Sequence, residues 1–129
     1  MIFVILVRNI YSIKIDTCIF SQYCESYFLF LVPPRITDNA HEFTVIKDNP
    51  VQLPCEVIGV PPPTVSWYQG DDELEESDNY VFLPNGAFRI NRVQEEHSGV
   101  YQCLAVNIAG NDTKLVTLTV QGKPVRYKC

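Results

Sequence analysis

The sequence is short of positive charge. Ten lysine and arginine residues stand against fifteen aspartate and glutamate residues, which gives a formal net charge of −5 at pH 7. Proteins that bind nucleic acid neutralise phosphates with lysine and arginine, and binding to anionic lipid uses clusters of the same residues. We therefore expect neither nucleic acid nor a membrane surface as a partner. The lysine and arginine residues are scattered, apart from Lys123, Arg126 and Lys128 at the end. We interpret this end, residues 122–129, as a tail or linker rather than a binding arm.

The sequence also lacks the motifs of catalysis. Its two histidines, His41 and His97, lie in different regions, and neither is beside a nucleophile motif. No phosphate-binding loop, metalloprotease pattern or esterase-type serine motif is present. We expect no enzymatic activity, no catalytic residue and no cofactor.

Carboxylates are concentrated in one segment between residues 69 and 78. Carboxylate oxygens suit calcium, but the spacing does not match an EF-hand loop, because neither the glycine nor the terminal glutamate falls at the required position. A calcium site and a solvated connection between strands are both open interpretations; we expect the second, with no metal. The segment contains Asp71, Asp72, Glu73, Glu75, Glu76 and Asp78.

No uncharged apolar stretch is long enough to span a membrane as a helix, which takes about 20 residues. Residues 2–7 and 28–32 are apolar, but charged residues lie between them. A signal peptide is one interpretation, although no basic region precedes its apolar core. An unrelated leader or a gene-model extension is the other. We expect residues 1–32 to be a poorly defined N-terminal extension, in which Cys18 and Cys24 have no assured partner.

Short apolar runs separated by turn residues are abundant. Nine prolines and the Asn85-Gly86 turn divide the chain into short segments. Within these segments apolar and polar residues alternate with a period of two, as in strands with one buried face. The pattern predicts an all-β fold. The predicted strands cover residues 43–45, 51–57, 64–68, 80–83, 87–90, 100–106 and 115–120.

One set of residues identifies a family. Cys55 and Cys103 lie on either side of the single tryptophan, Trp67, and Tyr101 lies two residues before the second cysteine. This pattern resembles the intermediate-set (I-set) immunoglobulin domains, over residues 33–121. The resemblance implies a two-sheet Greek-key sandwich with a Cys55–Cys103 disulfide, and with Trp67 and Tyr101 in its core.

Smaller features narrow the resemblance. The turn at residues 84–86, the Val93-Gln94 pair and the turn at residues 107–110 are most similar to the repeats of the hemicentins, matrix proteins with long immunoglobulin arrays. His97 departs from the family pattern, which usually has an aspartate that stabilises the corner before the sixth strand. A histidine can also form a hydrogen bond there.

The resemblance implies a non-enzymatic protein-interaction module of a secreted or cell-surface glycoprotein, with a role in cell adhesion or recognition of the extracellular matrix. If the core residues point inward, a contiguous apolar group points outward on the same sheet, and such a group is a candidate interface for a homophilic or heterophilic protein partner. Packing against the N-terminal segment or a neighbouring immunoglobulin domain explains the pattern equally well. The outward residues are Tyr68, Val100, Leu104 and Val106.

Two other interpretations of the function stay open. The domain could be a structural spacer in a tandem array, or an intracellular muscle-type domain, which commonly lacks the disulfide. A bonded cysteine pair indicates an oxidising, extracellular compartment, and Cys129 is left without a role. Residues 111–113 form an N-glycosylation sequon. We expect Asn111 to be exposed and, in a secreted chain, glycosylated.

Overall fold

The computed structural model describes the backbone of residues 2–7, 10–20 and 23–123 and the side chains of residues 30–123. The predictions for Arg126, Lys128 and Cys129 and for the side chains of the N-terminal extension lie outside these residues. Within the described ranges, no helix has the length and apolarity needed to cross a membrane. The elements are β1 (Ile2–Val7), β2 (Ile10–Phe20), β3 (Tyr23–Ile36), β4 (Glu42–Ile46), β5 (Val51–Leu53), β6 (Val57–Val60), β7 (Thr64–Gln69), β8 (Asp72–Glu73), β9 (Tyr80–Phe82), β10 (Phe88–Ile90), a 3-10 helix (Glu95–His97), β11 (Gly99–Asn107) and β12 (Gly110–Gln121).

Two sheets form a sandwich. The larger has five strands in the order β4-β12-β11-β7-β8, and the smaller has three in the order β5-β10-β9. In the larger sheet, β11 pairs antiparallel with β12 on one side and with β7 on the other. The strand β4 extends this sheet by pairing parallel to β12. The all-β sandwich predicted from the sequence is confirmed.

A third sheet, β1-β2-β3-β6, contains the N-terminal residues. The sequence patterns assign no element to residues 1–32, whereas the structure has an antiparallel meander there. The strand β3 continues through Pro33 and Pro34, and its register against β6 shifts at these residues because a proline has no N–H to donate to a ladder. The β2–β3 register sets the backbone of Cys18 opposite that of Cys24.

The second predicted strand is divided in two. The sequence predicts one strand over residues 51–57, but β5 and β6 are separated at Pro54, which cannot donate to a ladder. β5 pairs with β10, and β6 pairs with β3 in the third sheet. Between them, the Thr37 N–H donates to the Glu56 carbonyl at 2.8 Å, and the Glu56 N–H donates to Asp38 Oδ2 at 2.8 Å. The chain therefore changes its sheet partner around Cys55.

An inward-facing lysine ties this break to the larger sheet. Lys114 lies on β12 opposite Cys103, and its side chain is 11% exposed. Its Nζ donates to Asp38 Oδ1 and, at 2.7 Å, to the Pro54 carbonyl. Since the Asp38 side chain is also only 13% exposed, removing either member would leave a desolvated charge without its partner.

The disulfide and its neighbours fill the space between the sheets. Cys55 and Cys103 are bonded with their Cα atoms 6.5 Å apart, and both are fully buried. Trp67 is also buried, and its indole N–H donates to the Gly86 carbonyl at 2.8 Å. Gly86 has a φ of 90°, and a Cβ there would overlap the Cys55 carbonyl oxygen. Only glycine suits this turn.

Two hydrogen bonds close the corner that precedes β11. The Tyr101 hydroxyl donates to the His97 carbonyl at 2.7 Å, and the Gln94 N–H donates to Nδ1 of the buried His97 ring at 2.8 Å. Burial, with a further contribution from Tyr80, raises the pKa of Tyr101 to about 12. His97 therefore supplies the hydrogen-bond acceptor at the position where the family pattern has aspartate.

Asp48 accepts hydrogen bonds from three donors where β4 ends. They are Gln94 Nε2 at 3.0 Å, Lys123 Nζ at 3.0 Å and Arg92 Nε at 3.2 Å. These contacts hold the pKa of the Asp48 carboxyl well below its usual range, and the Gln94 amide has the largest effect. The φ of Asp48 is 72°, a left-handed conformation that aspartate and asparagine adopt more readily than most residues. The turn after β4 therefore depends on an ionised carboxylate.

The substitution Cys103→Ala is expected to destabilise the domain by about 4 kcal/mol, because the disulfide joins residues that are 48 positions apart in the sequence. Thermal unfolding followed by circular dichroism should show a midpoint lowered by about 15 to 30 °C. Cys129→Ala, which changes a cysteine outside residues 33–121, is the matched control. A Cys103→Ala midpoint within a few degrees of wild type would contradict a structural role for the bridge.

The substitution Asp48→Asn is expected to make stability less sensitive to acid. A carboxylate whose pKa is lowered by folding stabilises the folded state above its unfolded pKa of about 3.9, and this contribution is lost as the pH falls further. Wild type should therefore be the more stable protein at pH 7, and the difference should shrink below about pH 4. Asparagine tolerates the same backbone conformation. The difference in thermal midpoint between wild type and Asp48→Asn, measured from pH 7 to pH 2, therefore reports what the carboxylate charge contributes to stability. A pH-independent difference would disprove this assignment.

Candidate interaction face

The alternation along β11 sorts its side chains onto two sides of the sheet. Tyr101, Cys103 and Ala105 are buried, while Val100 is 49% exposed and Val106 is 43% exposed. Gln102 and Leu104, which share the parity of the exposed residues, are half-buried. The sequence-predicted face therefore has two well-exposed members on this strand.

Neighbouring strands continue this side of the sheet, which we call the outer face. Directly paired residues lie on the same side of a sheet, so the register gives three rows across β12, β11 and β7. The rows are Leu115–Gln102–Tyr68, Thr113–Leu104–Ser66 and Asn111–Val106–Thr64, and Val100 pairs with Thr117 beyond the first row. All four predicted face residues, Tyr68, Val100, Leu104 and Val106, and the sequon asparagine occupy the outer face.

Leu115 is the outer-face residue that the sequence analysis did not select. It is 61% exposed, more than Val100 or Val106, and it pairs with Gln102 at the centre of the sheet. The available signal was its alternation with the buried Val116. What was missing was the pairing register of β12 with β11, which places Leu115 beside the predicted group.

The outer face carries only negative charge. Glu73 pairs with Tyr68 at one edge, and Glu42 pairs with Thr117 at the other. The outward register positions that the structure describes on β4, β7, β8, β11 and β12 contain no lysine or arginine. The apolar centre is therefore flanked by carboxylates, and its electrostatic complement is basic.

The described chain leaves this surface open to solvent. The N-terminal strand β3 pairs with β6, not with any strand of the larger sheet. The exposed fractions of Val100, Val106 and Leu115 show that no described segment covers them. These exposed fractions argue against packing by the described N-terminal strands, and a neighbouring domain stays the alternative.

The acidic segment and a cavity near Trp67 are the other candidate sites among the described residues. Among the described residues, no three His, Cys, Asp or Glu side chains are grouped in a way that could hold a metal ion. A cavity of about 320 Å³ lies between the loop before β7 and the turn before β10, near Trp67. Its lining, which includes Val57, Pro62 and Phe82, contains no ionisable side chain. It therefore has no group for acid–base catalysis.

The model of the immunoglobulin I-set domain matches residues 34–120. The chain belongs to the immunoglobulin I-set family. The family assignment made from the cysteine, tryptophan and tyrosine pattern is confirmed.

Relatives of this I-set chain include two hemicentins. It is 40% identical over 93 residues to hemicentin-1 of Mus musculus and 43% identical over 95 residues to hemicentin-2 of Mus musculus. These regions cover 72% and 73% of this chain but only 2% of each relative's length. A crystal structure of the titin M10–obscurin-like 1 immunoglobulin complex matches with a TM-score of 0.68 at 29% identity, over 72% of this chain and 98% of that chain. The predicted similarity to hemicentin repeats is confirmed.

The turn between β11 and β12 is held by one asparagine of the I-set domain. Asn107 Nδ2 donates to the Val32 carbonyl at 2.9 Å and to the Pro61 carbonyl at 3.0 Å. Its Oδ1 accepts a hydrogen bond from the Ala109 N–H at 2.8 Å. Asn107 therefore joins the turn to β3 and to the loop before β7, and it fixes the end of the outer face that contains Asn111.

The substitution Asn107→Asp is expected to destabilise the domain by about 1 to 3 kcal/mol. Aspartate keeps the acceptor for the Ala109 N–H but loses both donors, and it sets a carboxylate against two carbonyl oxygens. The free energy of unfolding from urea titration measures the loss. Asn39→Asp, a charge change of the same kind at an exposed site, serves as the control. Equal stability of Asn107→Asp and wild type would show that these contacts contribute nothing.

Proposed function

We propose that this chain is a non-enzymatic protein-interaction module of an extracellular-matrix or cell-surface protein, and that it mediates adhesion or matrix recognition through its outer face. The observation that supports this proposal is the exposed apolar centre formed by Leu115, Val100 and Val106 with Tyr68 and Leu104. Isolated exposed apolar residues are ordinary, but a contiguous group on one sheet indicates an interface.

The charge on the outer face favours a heterophilic partner. Two copies of this face would bring acidic edges together without a basic residue to pair with them, and like charges across an interface are costly. A partner with an apolar patch flanked by lysine or arginine complements both Glu42 and Glu73. We therefore propose a basic-rimmed protein surface as the ligand, rather than a second copy of the chain.

An extracellular location is part of the proposal. The Cys55–Cys103 disulfide supports it, because such bonds persist in oxidising compartments. The similarity to the matrix-type hemicentins points the same way. An intracellular muscle-type domain is the alternative, and titration of free thiols in the purified chain distinguishes the two classes. Two cysteines protected until reduction support secretion.

A structural spacer in a tandem array is the second candidate. The chain enters the sandwich near Val32, at the end where Asn107 contacts it. It leaves the sandwich near Lys123, at the opposite end, where Lys123 contacts Asp48. Between these points runs β12, whose 12 residues extend about 40 Å. Entry and exit at opposite ends suit domains joined in a line, and this role is compatible with binding through the outer face.

Binding of the full chain to decellularised matrix tests the proposal. Fluorescent beads coated with wild type are expected to bind, and Leu115→Asp and Val100→Asp should each weaken binding about tenfold, as expected for loss of about 1.4 kcal/mol. Glu42→Lys with Glu73→Lys should weaken it further, and salt should weaken wild-type binding through screening.

Ile58→Asp provides the matched control. Ile58 is 49% exposed, like Val100, but lies on β6 in the third sheet. This variant should bind as wild type does, and thermal midpoints should show that every variant is folded. Absence of wild-type binding, or equal binding by the outer-face variants, would reject the proposal and leave the spacer role.

A further inference from the structure

The N-glycosylation sequon lies within the outer face. Asn111 pairs directly with Val106, and Thr113 pairs directly with Leu104. Both sequon residues are exposed. Directly paired residues have Cβ atoms about 5 Å apart, so any group attached to Asn111 adjoins the apolar side chain of Val106.

The central residue of the sequon fixes this orientation. Asp112 points to the other side of β12, where its Oδ2 accepts the Ile36 N–H at 2.8 Å and its Oδ1 accepts the Thr113 N–H at 2.9 Å. Since neighbouring strand residues point to opposite sides, Asn111 cannot turn away from the outer face without breaking the bond to β3. The fold accommodates a large group on Asn111 without rearrangement, because the side chain already extends into solvent.

We propose that Asn111 carries an N-linked glycan and that this glycan occupies the Leu104–Val106 end of the outer face. Sugar rings present C–H surfaces that pack on apolar side chains, so the glycan would cover Leu104 and Val106. Val100 lies six residues from Val106, or about 20 Å along the strand, and stays open. A protein partner then docks on the end formed by Val100, Leu115 and Tyr68; this last step rests on the proposed function.

The modification uses the donor chemistry of the secretory pathway. The side-chain nitrogen of Asn111 takes the oligosaccharide from a lipid-linked pyrophosphate donor. The bond between the sugar C1 and the pyrophosphate oxygen breaks, the bond between C1 and Nδ2 forms, and one amide proton is released as the pyrophosphate leaves. The glycan is therefore added only to a chain that enters this pathway.

Occupancy and position are tested on the full chain secreted from cultured animal cells with an added secretion leader. The mass of wild type should fall by that of an N-glycan after digestion with peptide N-glycosidase, and Asn111→Gln should show no such change. Hydroxyl-radical oxidation read by mass spectrometry then reports exposure. Leu104 and Val106 should be oxidised several-fold less in glycosylated wild type than in Asn111→Gln, whereas Val100 and Leu115 should be oxidised equally.

A variant with the glycan at another site distinguishes the effect of the glycan's position from the effect of its mass. Asn111→Gln combined with Glu75→Asn creates a sequon with Glu76 and Ser77 in the exposed acidic segment. This glycan should leave Leu104 and Val106 as reactive as in Asn111→Gln. An unmodified Asn111 overturns the proposal, and so does equal oxidation of Val106 with and without the glycan.

Matrix binding is scored separately. Asn111→Gln is expected to bind matrix at least as well as wild type, because the Val100 end is free in both. Protection of Leu104 and Val106 without any matrix binding would uphold the glycan's position and reject the protein-interaction function alone. Matrix binding with an unmodified Asn111 would uphold the protein-interaction function and reject the glycan proposal alone.

Discussion

The alternation of side chains along β11 is the constraint on which both sides of the larger sheet depend. A slip of one residue in a strand moves every side chain to the opposite face. Here it would remove Cys103 from Cys55 and carry the Tyr101 hydroxyl away from the His97 carbonyl. The disulfide and this corner therefore hold β11 in one register. Because of the same register, the side chains of Val100 and Val106 are exposed to solvent.

Polar contacts add to the packing of the core, and three of them lie on β12 or just beyond its two ends. At one end, the Asn107 side chain donates hydrogen bonds to the carbonyls of Val32 in β3 and of Pro61 after β6. At the other end, the Lys123 side chain contacts the Asp48 carboxylate. In the middle, Lys114 joins Asp38 across the break at Pro54. A nearly buried ion pair contributes little net stability compared with apolar packing, but it penalises any arrangement that separates its members. Lys114 thus helps to specify which segments meet at the divided strand.

The sequence predicted the features that repeat with a period or follow a known spacing. Alternation gave the strands and their inward sides, and the family pattern gave the disulfide. Features that depend on pairing between distant strands could not be predicted. The change of sheet partner around Cys55 depends on β3 and β10, and the exposure of Leu115 becomes significant only through the register that sets it beside Gln102. The inward role of Lys114 was hidden for the same reason, since a lysine in a strand is usually solvated.

The short strands at two of the sheet edges favour recognition through a face over recognition through an added strand. A partner can add a strand only where an edge offers a row of free backbone groups. At one edge of the larger sheet, β8 has two residues, Asp72 and Glu73, both acidic. At one edge of the smaller sheet, β9 has three residues, and after Leu83 the chain turns at Pro84. These two edges are too short to hold an extended peptide, which favours the outer face over either of them as the surface for the proposed protein partner.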